Sequence, residues 1–260
     1  MTSAWVVLPT FNERENLPIV VARARAALAS CEPPVDGTVL IVDDGSPDGT
    51  GDLADALARE HPDVRVQHRA RKDGLGGAYL AGFGVALAAG ADLVIEMDAD
   101  LSHDPADVPR LIAAAREGAD VVLGSRYVAG GGVEGWPLHR RLLSRGGGRY
   151  AAAVLRLPLT DLTGGFKCFR APALRALAHE RVSSRGYAFQ IELTYEATRR
   201  GYVVAEIPIV FRERELGKSK MSLAIAVEAM WRVPLMRLAA PAGRADRGTS
   251  QRLPSGTLAG

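Results

Sequence analysis

The sequence predicts an α/β fold with a mostly parallel central sheet and helices on both of its faces. Short runs of β-branched residues alternate with longer stretches rich in Ala, Leu and Arg through the first half of the chain. Such alternation is typical of parallel sheets built from β-α-β units. The strand-like runs are continuously apolar, as strands covered on both faces are. Acidic residues follow two of these runs, and ligands of such sheets bind at the carboxyl ends of the strands.

In the first half, composition predicts each element in turn. Apolar, β-branched runs predict strands at 5–8, 38–44, 64–69, 92–100 and 119–126. Stretches rich in Ala and Leu predict helices at 16–29, 48–60, 76–89 and 105–117. Asp104 stands before the last of these helices, where an Asp side chain caps the free amides of a first turn.

The second half is less regular. A glycine-rich loop is predicted at 130–137 and a helix at 139–155, interrupted at Gly146–Gly148. The predicted elements that follow are a turn and strand at 161–170, a helix at 187–199, an edge strand with Pro208 at 203–214, and an amphipathic helix at 221–238 broken near Pro234. The remaining residues are rich in Gly, Arg, Ser, Pro and Thr, which predicts disorder. The sequence therefore predicts three segments: an α/β domain at 1–220, an amphipathic helix at 221–240 and a disordered tail at 241–260.

The overall composition argues against several classes of protein. Lys plus Arg is 32 and Asp plus Glu is 30, a balance that gives no case for nucleic-acid binding. Two cysteines without a Cys/His cluster argue against a disulfide framework or a zinc site, and they fit a reducing compartment. The N-terminal apolar run is interrupted by Pro9 and is too short for a signal peptide. No uncharged apolar segment reaches the ~18 residues of a membrane span.

The strongest local signal is the pair Asp98 and Asp100, one residue apart at a predicted strand end. Two such carboxylates can share one hard cation, and Mg²⁺ or Mn²⁺ prefers oxygen ligands. A bound cation absorbs the charge that develops on a diphosphate leaving group. The alternative is a pair of solvated acids ahead of a helix.

Two further strand ends carry candidate ligand contacts. Asp43 and Asp44 end the strand at 38–44, where a carboxylate can accept a hydrogen bond from a ribose hydroxyl or a base edge, although an Asp-Gly turn is common. The loop after the first strand offers the aromatic face of Phe11 and the carboxylate of Glu13. It reads PTFNE rather than GxGxxG, which excludes a Rossmann dehydrogenase.

Taken in order, these motifs closely resemble those of the dolichol-phosphate (polyprenol-phosphate) mannose synthases, which belong to glycosyltransferase family 2 and have a GT-A fold. The similar segments keep their order and approximate spacing from about Trp5 to Met221. They read LPTFNERENLP, IVDDGSPDGT, KDGLGGAYLAGF, EMDADLSHDP, GSRY, DLTGGFKCFR and FRERELGKSKMS.

The resemblance implies two sets of nucleotide contacts. Pro9, Phe11 and Glu13 resemble the guanine and ribose contacts of the family's first loop. The family often has Tyr where Phe11 stands, so a hydroxyl contact is lost while stacking is retained. Val42 and Asp44 match the second nucleotide contact.

The resemblance also implies where the donor diphosphate and its cation bind. Asp98 and Asp100 match the metal and donor-phosphate positions, with Ala99 between them in the donor site. Asp100 is expected to act in catalysis. Relatives often have Gln or Ser at the position of Ser102, which makes its hydroxyl a further candidate for the metal shell.

Basic residues complete the implied site. Arg126, in GSRY, matches an arginine near the donor and acceptor phosphates and is expected to act in catalysis. Arg214 and Lys220, in RELGKSK, match a late basic pair that closes over the donor phosphates. Arg140 and Arg141 are further candidates for the acceptor phosphate, with a solvated helix start as the alternative reading. Arg forks bind phosphate oxygens in pairs, and Lys acts as a point charge.

The reaction implied by the resemblance is mannosyl transfer from GDP-mannose to a polyprenyl phosphate, with inversion. A lipid monophosphate is already an anion near neutrality, so His103 is not required as a general base. Two alternatives stay open: a synthase of the same fold that uses UDP-glucose or another nucleotide sugar, and a catalytically silent nucleotide-binding subunit. The intact acids and basic residues argue against a silent subunit.

The segment 221–240 suggests how the protein meets its lipid. An interfacial helix would put Trp231 at the lipid boundary and Arg232 and Arg237 at head groups. The alternative is an ordinary helix that covers the core. We expect a cytoplasmic protein held peripherally on the inner face of the membrane.

Overall fold

The structure is a computed structural model that describes residues 1–71, 74–178, 187–213 and 223–239. In chain order the strands are β1 (Thr2–Thr10), β2 (Val35–Asp43), β3 (Val64–His68), β4 (Leu93–Glu96), β5 (Val121–Ser125), β6 (Gly132–Glu134), β7 (Lys167–Arg170), β8 (Val204–Pro208) and β9 (Val210–Arg212). The α-helices are α1 (Leu17–Ala29), α2 (Thr50–Glu60), α3 (Leu75–Ala88), α4 (Val108–Arg116), α5 (Leu138–Leu155), α6 (Ala171–Ala178), α7 (Tyr187–Arg199) and α8 (Leu223–Ala239).

The main sheet has the strand order β3-β2-β1-β4-β7-β5-β8. Its neighbouring strands are parallel except at β7, which runs antiparallel to both β4 and β5. Strands β6 and β9 form a separate parallel pair. The predicted α/β fold with a mostly parallel sheet is confirmed.

Helices cover both faces of this sheet, and successive side chains of β1 point alternately into the two cores between sheet and helices. Val6 and Leu8 pack with α1, α2 and α4 in one core, whereas Trp5 and Val7 pack with α3 and α5 to α8 in the other. This alternation follows from the two-residue side-chain period of a strand. Strands that are buried on both faces need the continuously apolar sequences seen here.

Several predicted elements differ from the structure. Strand β4 ends at Glu96, four residues earlier than predicted, so Asp98 and Asp100 lie in the loop that follows it. The predicted strand at 203–214 is two strands, because after Pro208 the chain leaves β5 and pairs with β6 instead. The predicted glycine-rich loop contains β6, and α6 was not predicted. The Asp104 cap is confirmed: its side chain accepts a hydrogen bond from the amide of Ala106 in the 3₁₀ turn that leads into α4.

Two predicted helix breaks were wrong. Helix α5 continues through Gly146–Gly148, and it packs along α8, so tertiary contact outweighs the weak helix propensity of glycine. Helix α8 continues through Pro234, whose missing amide would leave the carbonyl of Met230 without its helical partner. The Tyr150 hydroxyl donates to that carbonyl at 3.1 Å and replaces the lost bond.

Some predictions fall outside the described residues: the disordered tail at 241–260 and the late basic pair, Arg214 and Lys220. Among the helices of the described ranges, none has both the length and the apolar character needed to cross a bilayer.

A matched pair of glycines in α3 tests how closely that helix lies on the sheet. A Cβ at Gly82 would lie 2.4 Å from Cγ1 of Val7 and 3.0 Å from Cγ2 of Val42, both held on strands. Gly82→Ala should therefore destabilise the fold by about 1–3 kcal/mol through overpacking. The exposed Gly84, two residues on, has nothing within 4 Å of its Cβ position. Gly84→Ala should stabilise the helix by about 0.5–1 kcal/mol. Urea unfolding of both variants measures the difference, and effects of the same sign would contradict this packing.

Candidate active site

The predicted site residues meet at one edge of the main sheet. The carboxyl ends of the parallel strands β1, β2, β4 and β5 lie there. Strand β7 runs the other way and begins at the same edge, because Lys167 pairs with Glu96 of β4 and with Leu123 of β5. The turn before β7, residues 161–166, therefore enters between the loop after β4 and the loop after β5.

The first loop, after β1, is tied to the loop after β2. The amide of Asn12 donates to Ser46 Oγ at 3.0 Å, and the amide of Glu13 donates to Thr50 Oγ1 at 3.1 Å. The Glu13 carboxylate accepts a hydrogen bond from the Asn16 side chain at 2.8 Å. These bonds fix the loop that carries the predicted nucleotide contacts, and they leave Pro9 and Phe11 partly exposed at its surface.

The end of β2 and the loop after it carry two acids with different partners. Asp43 accepts hydrogen bonds from the amide and hydroxyl of Ser46, which holds the turn. Asp44 is buried and forms an ion pair with Arg69 at 2.5 Å. The side chain of Val42 is fully buried in the core under α3, so a contact with a ligand at this edge would have to use its backbone.

Asp98 and Asp100 are oriented by neighbouring polar groups. The buried Tyr79 hydroxyl donates to Asp98 Oδ1 at 3.0 Å. Burial first, and then the nearby acids, raise the pKa of Tyr79, so it remains a donor. The amide and hydroxyl of Ser102 donate to Asp100 Oδ1 at 3.1 and 2.6 Å. The Ser102 hydroxyl thus orients Asp100. The side chain of Ala99, between the two acids, is buried in the core.

His103 also stabilises the loop that carries Asp98 and Asp100. Its Nδ1 accepts a hydrogen bond from the amide of Asp98 at 3.2 Å, which requires a neutral ring. The ring is buried, stacks on Phe166 and meets Phe211 edge-on. Burial, the largest effect, lowers the pKa of His103 to about 4. His103 is therefore a positioning residue rather than a general base.

A glycine borders the carboxylate of Asp98. A Cβ at Gly165 would lie 3.8 Å from Asp98 Oδ2, so a larger side chain at this position would crowd the carboxylate. No cluster of three or more acids, histidines or cysteines suited to a metal occurs in the described part of the chain. The donor set of Asp98 and Asp100 fits Mg²⁺ or Mn²⁺, which keep several waters and substrate phosphate oxygens as ligands.

Arg126 is held in a forked ion pair with Asp161, a residue that sequence reasoning missed. Its Nε and Nη2 donate to the two carboxylate oxygens at 2.6 and 2.7 Å, and Nη2 also donates to Thr163 Oγ1 at 2.7 Å. Both partners of the ion pair are buried. Burial raises the pKa of Asp161 and the guanidinium lowers it, with a net shift downward. The only signal in the sequence was the DLTGGF motif as a whole.

Aromatic rings extend the arginine site towards α5. The guanidinium of Arg126 lies 5.7 Å from the centroid of Trp136 and 5.6 Å from that of Phe211. Arg140 lies 4.0 Å from the same Trp136 ring and pairs with Glu213 at 2.8 Å. The structure thus brings Arg140 towards Arg126, whereas Arg141 is exposed on α5.

A buried polar cluster underlies the acids. Lys167 Nζ lies 3.5 Å from Glu96 Oε1 and donates to the carbonyl of Gln190 at 3.0 Å. All three side chains are buried, and Glu96 lies two residues before Asp98. Burial raises the pKa of Glu96 to about 7 against the opposing effect of Lys167. Sequence reasoning missed this cluster, because a Lys in a short strand gives no sign of burial.

Comparisons with known proteins identify the family of the chain. A profile of glycosyl transferase family 2 matches residues 5–178. The chain is similar to the undecaprenyl-phosphate mannosyltransferase of Micrococcus luteus, 48% identical over 234 residues, 90% of this chain and 93% of that protein. It is also similar to the polyprenol monophosphomannose synthase of Mycolicibacterium smegmatis, 48% identical over 229 residues, 88% of this chain and 84% of that protein.

The chain therefore belongs to glycosyl transferase family 2. Within that family, the resemblance to the polyprenol-phosphate mannose synthases that the motifs indicated is confirmed. A solved structure of glucosyl-3-phosphoglycerate synthase from Mycobacterium tuberculosis, in complex with Mn²⁺, UDP and phosphoglyceric acid, matches with a TM-score of 0.66 and 21% identity. The match covers 92% of this chain and 80% of that one, and it supports the GT-A fold.

The buried cluster under the acids can be tested by removing one charge or both. Lys167→Met leaves the Glu96 carboxylate buried without its cation, which should cost about 3–5 kcal/mol of unfolding free energy. The double variant Lys167→Met/Glu96→Leu removes both charges and should recover most of that loss, because apolar pairs replace buried ion pairs well. Urea unfolding at pH 8, above the pKa of Glu96 in the wild type, measures both variants. A double variant as unstable as the single one would show that the ion pair is not the source of the loss.

Proposed function

We propose that this enzyme transfers mannose from GDP-mannose to a polyprenyl monophosphate with inversion, and that GDP is the second product. One observation carries the proposal. A chain 48% identical to a polyprenol monophosphomannose synthase and to an undecaprenyl-phosphate mannosyltransferase has two acids and a buried arginine at the same edge of its sheet. Those side chains suit a reaction between two phosphorylated partners.

On the donor side, Asp98 and Asp100 are the proposed ligands of Mg²⁺ or Mn²⁺. When bound, such a cation neutralises charge on the donor diphosphate and stabilises the leaving group. The chain contributes the orientation of both carboxylates, through Tyr79 on Asp98 and Ser102 on Asp100. The proposed contacts of the nucleotide are Pro9 near the end of β1, Phe11 and Glu13 after it, the backbone at Val42 and Ala99, and Asp44 after β2. Arg214 and Lys220 remain proposed donor contacts on the resemblance alone.

On the acceptor side, the reaction is a single displacement. An oxygen of the lipid phosphate forms a bond to the anomeric carbon of mannose while the bond from that carbon to the GDP oxygen breaks. The electron pair of the broken bond leaves with GDP, and the anomeric centre inverts from α to β. The second pKa of a phosphate monoester is about 6, so near neutrality the nucleophile is already an anion and needs no base. The neutral, buried His103 is consistent with this.

Arg126 is proposed to supply positive charge near the acceptor phosphate, and Arg140 is proposed to add to that charge. The forked pair with Asp161 fixes the Arg126 guanidinium before any ligand binds, so little rotational freedom is lost on binding. The Arg140 guanidinium lies over the Trp136 ring, which the Arg126 guanidinium also faces. The exposed position of Arg141 makes it the weaker candidate for this contact.

The acceptor lipid also implies a location. A polyprenyl chain resides in a bilayer, so we propose that the protein works at the cytoplasmic surface of the membrane as a peripheral protein. Helix α8 supports this, because Trp231 and Leu235 are exposed on it one turn apart.

A transfer assay with purified protein tests the proposal. GDP-[¹⁴C]mannose and a short-chain polyprenyl phosphate should give labelled lipid with Mg²⁺ or Mn²⁺, and the product should have the β configuration by NMR. UDP-[¹⁴C]glucose in the parallel arm should give at least ~100-fold less, because hydrogen-bonding sites reject substrates that lack a matching group by up to on the order of 10⁴-fold or more. Preferential transfer of glucose would replace the proposed donor, and no transfer from any donor would indicate a silent subunit.

The two acids can be tested with a matched control. Asp100→Asn keeps the shape of the side chain but removes the charge, and it should lower kcat by on the order of 10²-fold or more. Asp104→Asn makes the same change four residues away, where the side chain caps a turn and pairs with Arg212, and it should stay within a few-fold of wild type. EDTA should abolish wild-type turnover and added Mn²⁺ should restore it. Full turnover in EDTA, or equal losses in both variants, would remove Asp100 from the metal site.

A further inference from the structure

The buried cluster under the acids presents an amide group to the candidate active site. Gln190 lies in the first turn of α7 and is only 2% exposed. The Lys167 ammonium donates hydrogen bonds to its side-chain Oε1 and to its backbone carbonyl. An ammonium group has no acceptor, so only the oxygen end of the amide can face it. Lys167 therefore fixes the orientation of the amide, and Nε2 lies on the side away from the ammonium.

The Nε2 atom of Gln190 borders Gly165, beside Asp98. A Cβ at Gly165 would lie 3.4 Å from Nε2, and 3.8 and 3.9 Å from the two oxygens of the Asp98 carboxylate. Nε2 is buried and makes no hydrogen bond within the described ranges of the chain. Burial raises the pKa of Glu96, and Lys167 and the Gln190 amide oppose the rise, so this carboxylate is also near. An amide nitrogen carries two hydrogens, so one remains for a ligand even when the other faces Glu96.

Aromatic packing ties the first turn of α7 to the same acid. The Phe189 ring stacks parallel to the Tyr79 ring with 6.3 Å between the centroids. The Tyr79 hydroxyl donates to Asp98 at 3.0 Å. Gln190 and Asp98 are therefore held in place on either side of Gly165 before any ligand binds. A buried donor that lacks an acceptor costs free energy, and a ligand that supplies the acceptor recovers it.

The chemistry around Gly165 indicates which group fits there. One further atom has room at the Cβ position, because its three nearest neighbours are at ordinary van der Waals distances. A hydroxyl group can donate to the Asp98 carboxylate and accept from Gln190 Nε2 at the same time. A phosphate oxygen would only accept, and the carboxylates of Asp98 and Glu96 would repel it. The position therefore suits a hydroxyl group rather than the diphosphate.

We infer that Gln190 and Asp98 bind one hydroxyl group of the transferred sugar beside Gly165, and that this contact helps to select the sugar. The inference rests on the proposed function for one point, that the donor is GDP-mannose. The sugar is attached directly to the diphosphate for which Asp98 is a proposed cation ligand, so its ring reaches this part of the site. Lys167 is then a positioning residue, because it holds the amide with Nε2 towards the sugar.

Gly165→Ala tests the contact without disturbing the fold. Its methyl group makes ordinary contacts in the unliganded structure, so urea unfolding should give a free energy close to that of the wild type. The same methyl group occupies the place of the hydroxyl. Calorimetry with Mn²⁺ present should show GDP binding within about two-fold of wild type. GDP-mannose should bind roughly 10- to 100-fold more weakly, because a hydrogen bond to a charged group is lost.

Two further variants complete the comparison. Gly84→Ala on α3 is the control, since its methyl group faces solvent and should leave the binding of both ligands unchanged. Gln190→Met keeps the length of the side chain but removes Nε2, and it should weaken GDP-mannose and spare GDP as Gly165→Ala does. It also removes one partner of Lys167, so its unfolding is measured in parallel. If it does not fold, Gly165→Ala alone decides.

Donor analogues identify the hydroxyl group. GDP-mannose that lacks the hydroxyl at C2, C3, C4 or C6 is compared with GDP-mannose on the wild type and on Gly165→Ala. One analogue should bind the wild type roughly 10- to 100-fold more weakly. The same analogue should lose at most a few-fold more on Gly165→Ala, because the deletion and the substitution remove one shared contact and their effects do not add.

The outcomes separate this inference from the proposed function. Equal weakening of GDP and GDP-mannose by Gly165→Ala would overturn the inference and assign the effect to the cation or the nucleotide. GDP-mannose binding at the wild-type level in Gly165→Ala would also overturn it, and Nε2 would then be left to a water molecule. A wild-type protein that prefers UDP-glucose would contradict the proposed donor instead. The comparison of UDP-glucose with UDP on the same variants would then decide the hydroxyl contact.

Discussion

The direction of one strand organises the candidate active site. Because β7 runs antiparallel between β4 and β5, it begins at the edge where those strands end. The turn that leads into β7 therefore brings Asp161 to Arg126, and it brings Gly165 to Asp98. In a fully parallel sheet this turn would lie at the opposite edge, and the arginine would have no fixed carboxylate.

The same strand imposes buried charges on the core. Lys167 begins β7 and lies inside the sheet layer, where Glu96 and Gln190 are its partners. Desolvation of charged groups is unfavourable, so such a cluster is retained at a cost in stability. The cluster lies next to the loop after β4, in which backbone and side-chain hydrogen bonds already hold Asp98 and Asp100. A site that is organised before ligands bind has less reorganisation left for the reaction itself.

The parts of this structure that the sequence predicted are those with a local or periodic signal. Continuous apolar runs predicted the strands, and acids after those runs predicted the edge at which Asp44, Asp98 and Asp100 lie. The direction of β7 was beyond such reasoning, because a four-residue strand carries no mark of orientation. The Arg126–Asp161 pair joins residues 35 positions apart, and neither residue type specifies its partner. The helix through Pro234 needed a hydroxyl from another helix, which no pattern within α8 could indicate.

That hydroxyl makes α8 mechanically dependent on α5. In an ordinary helix the carbonyl at position 230 would be bonded by the amide four residues later, and the helix could separate from its neighbour with its own backbone intact. Here the partner is the Tyr150 hydroxyl, so any movement of α8 away from α5 leaves a backbone carbonyl without a hydrogen bond. Arg237, which donates to the carbonyl of Val154, adds a second link between the helices a little further along. A displacement of α8 therefore either breaks both hydrogen bonds or requires α5, whose first turn carries Arg140, to move with it.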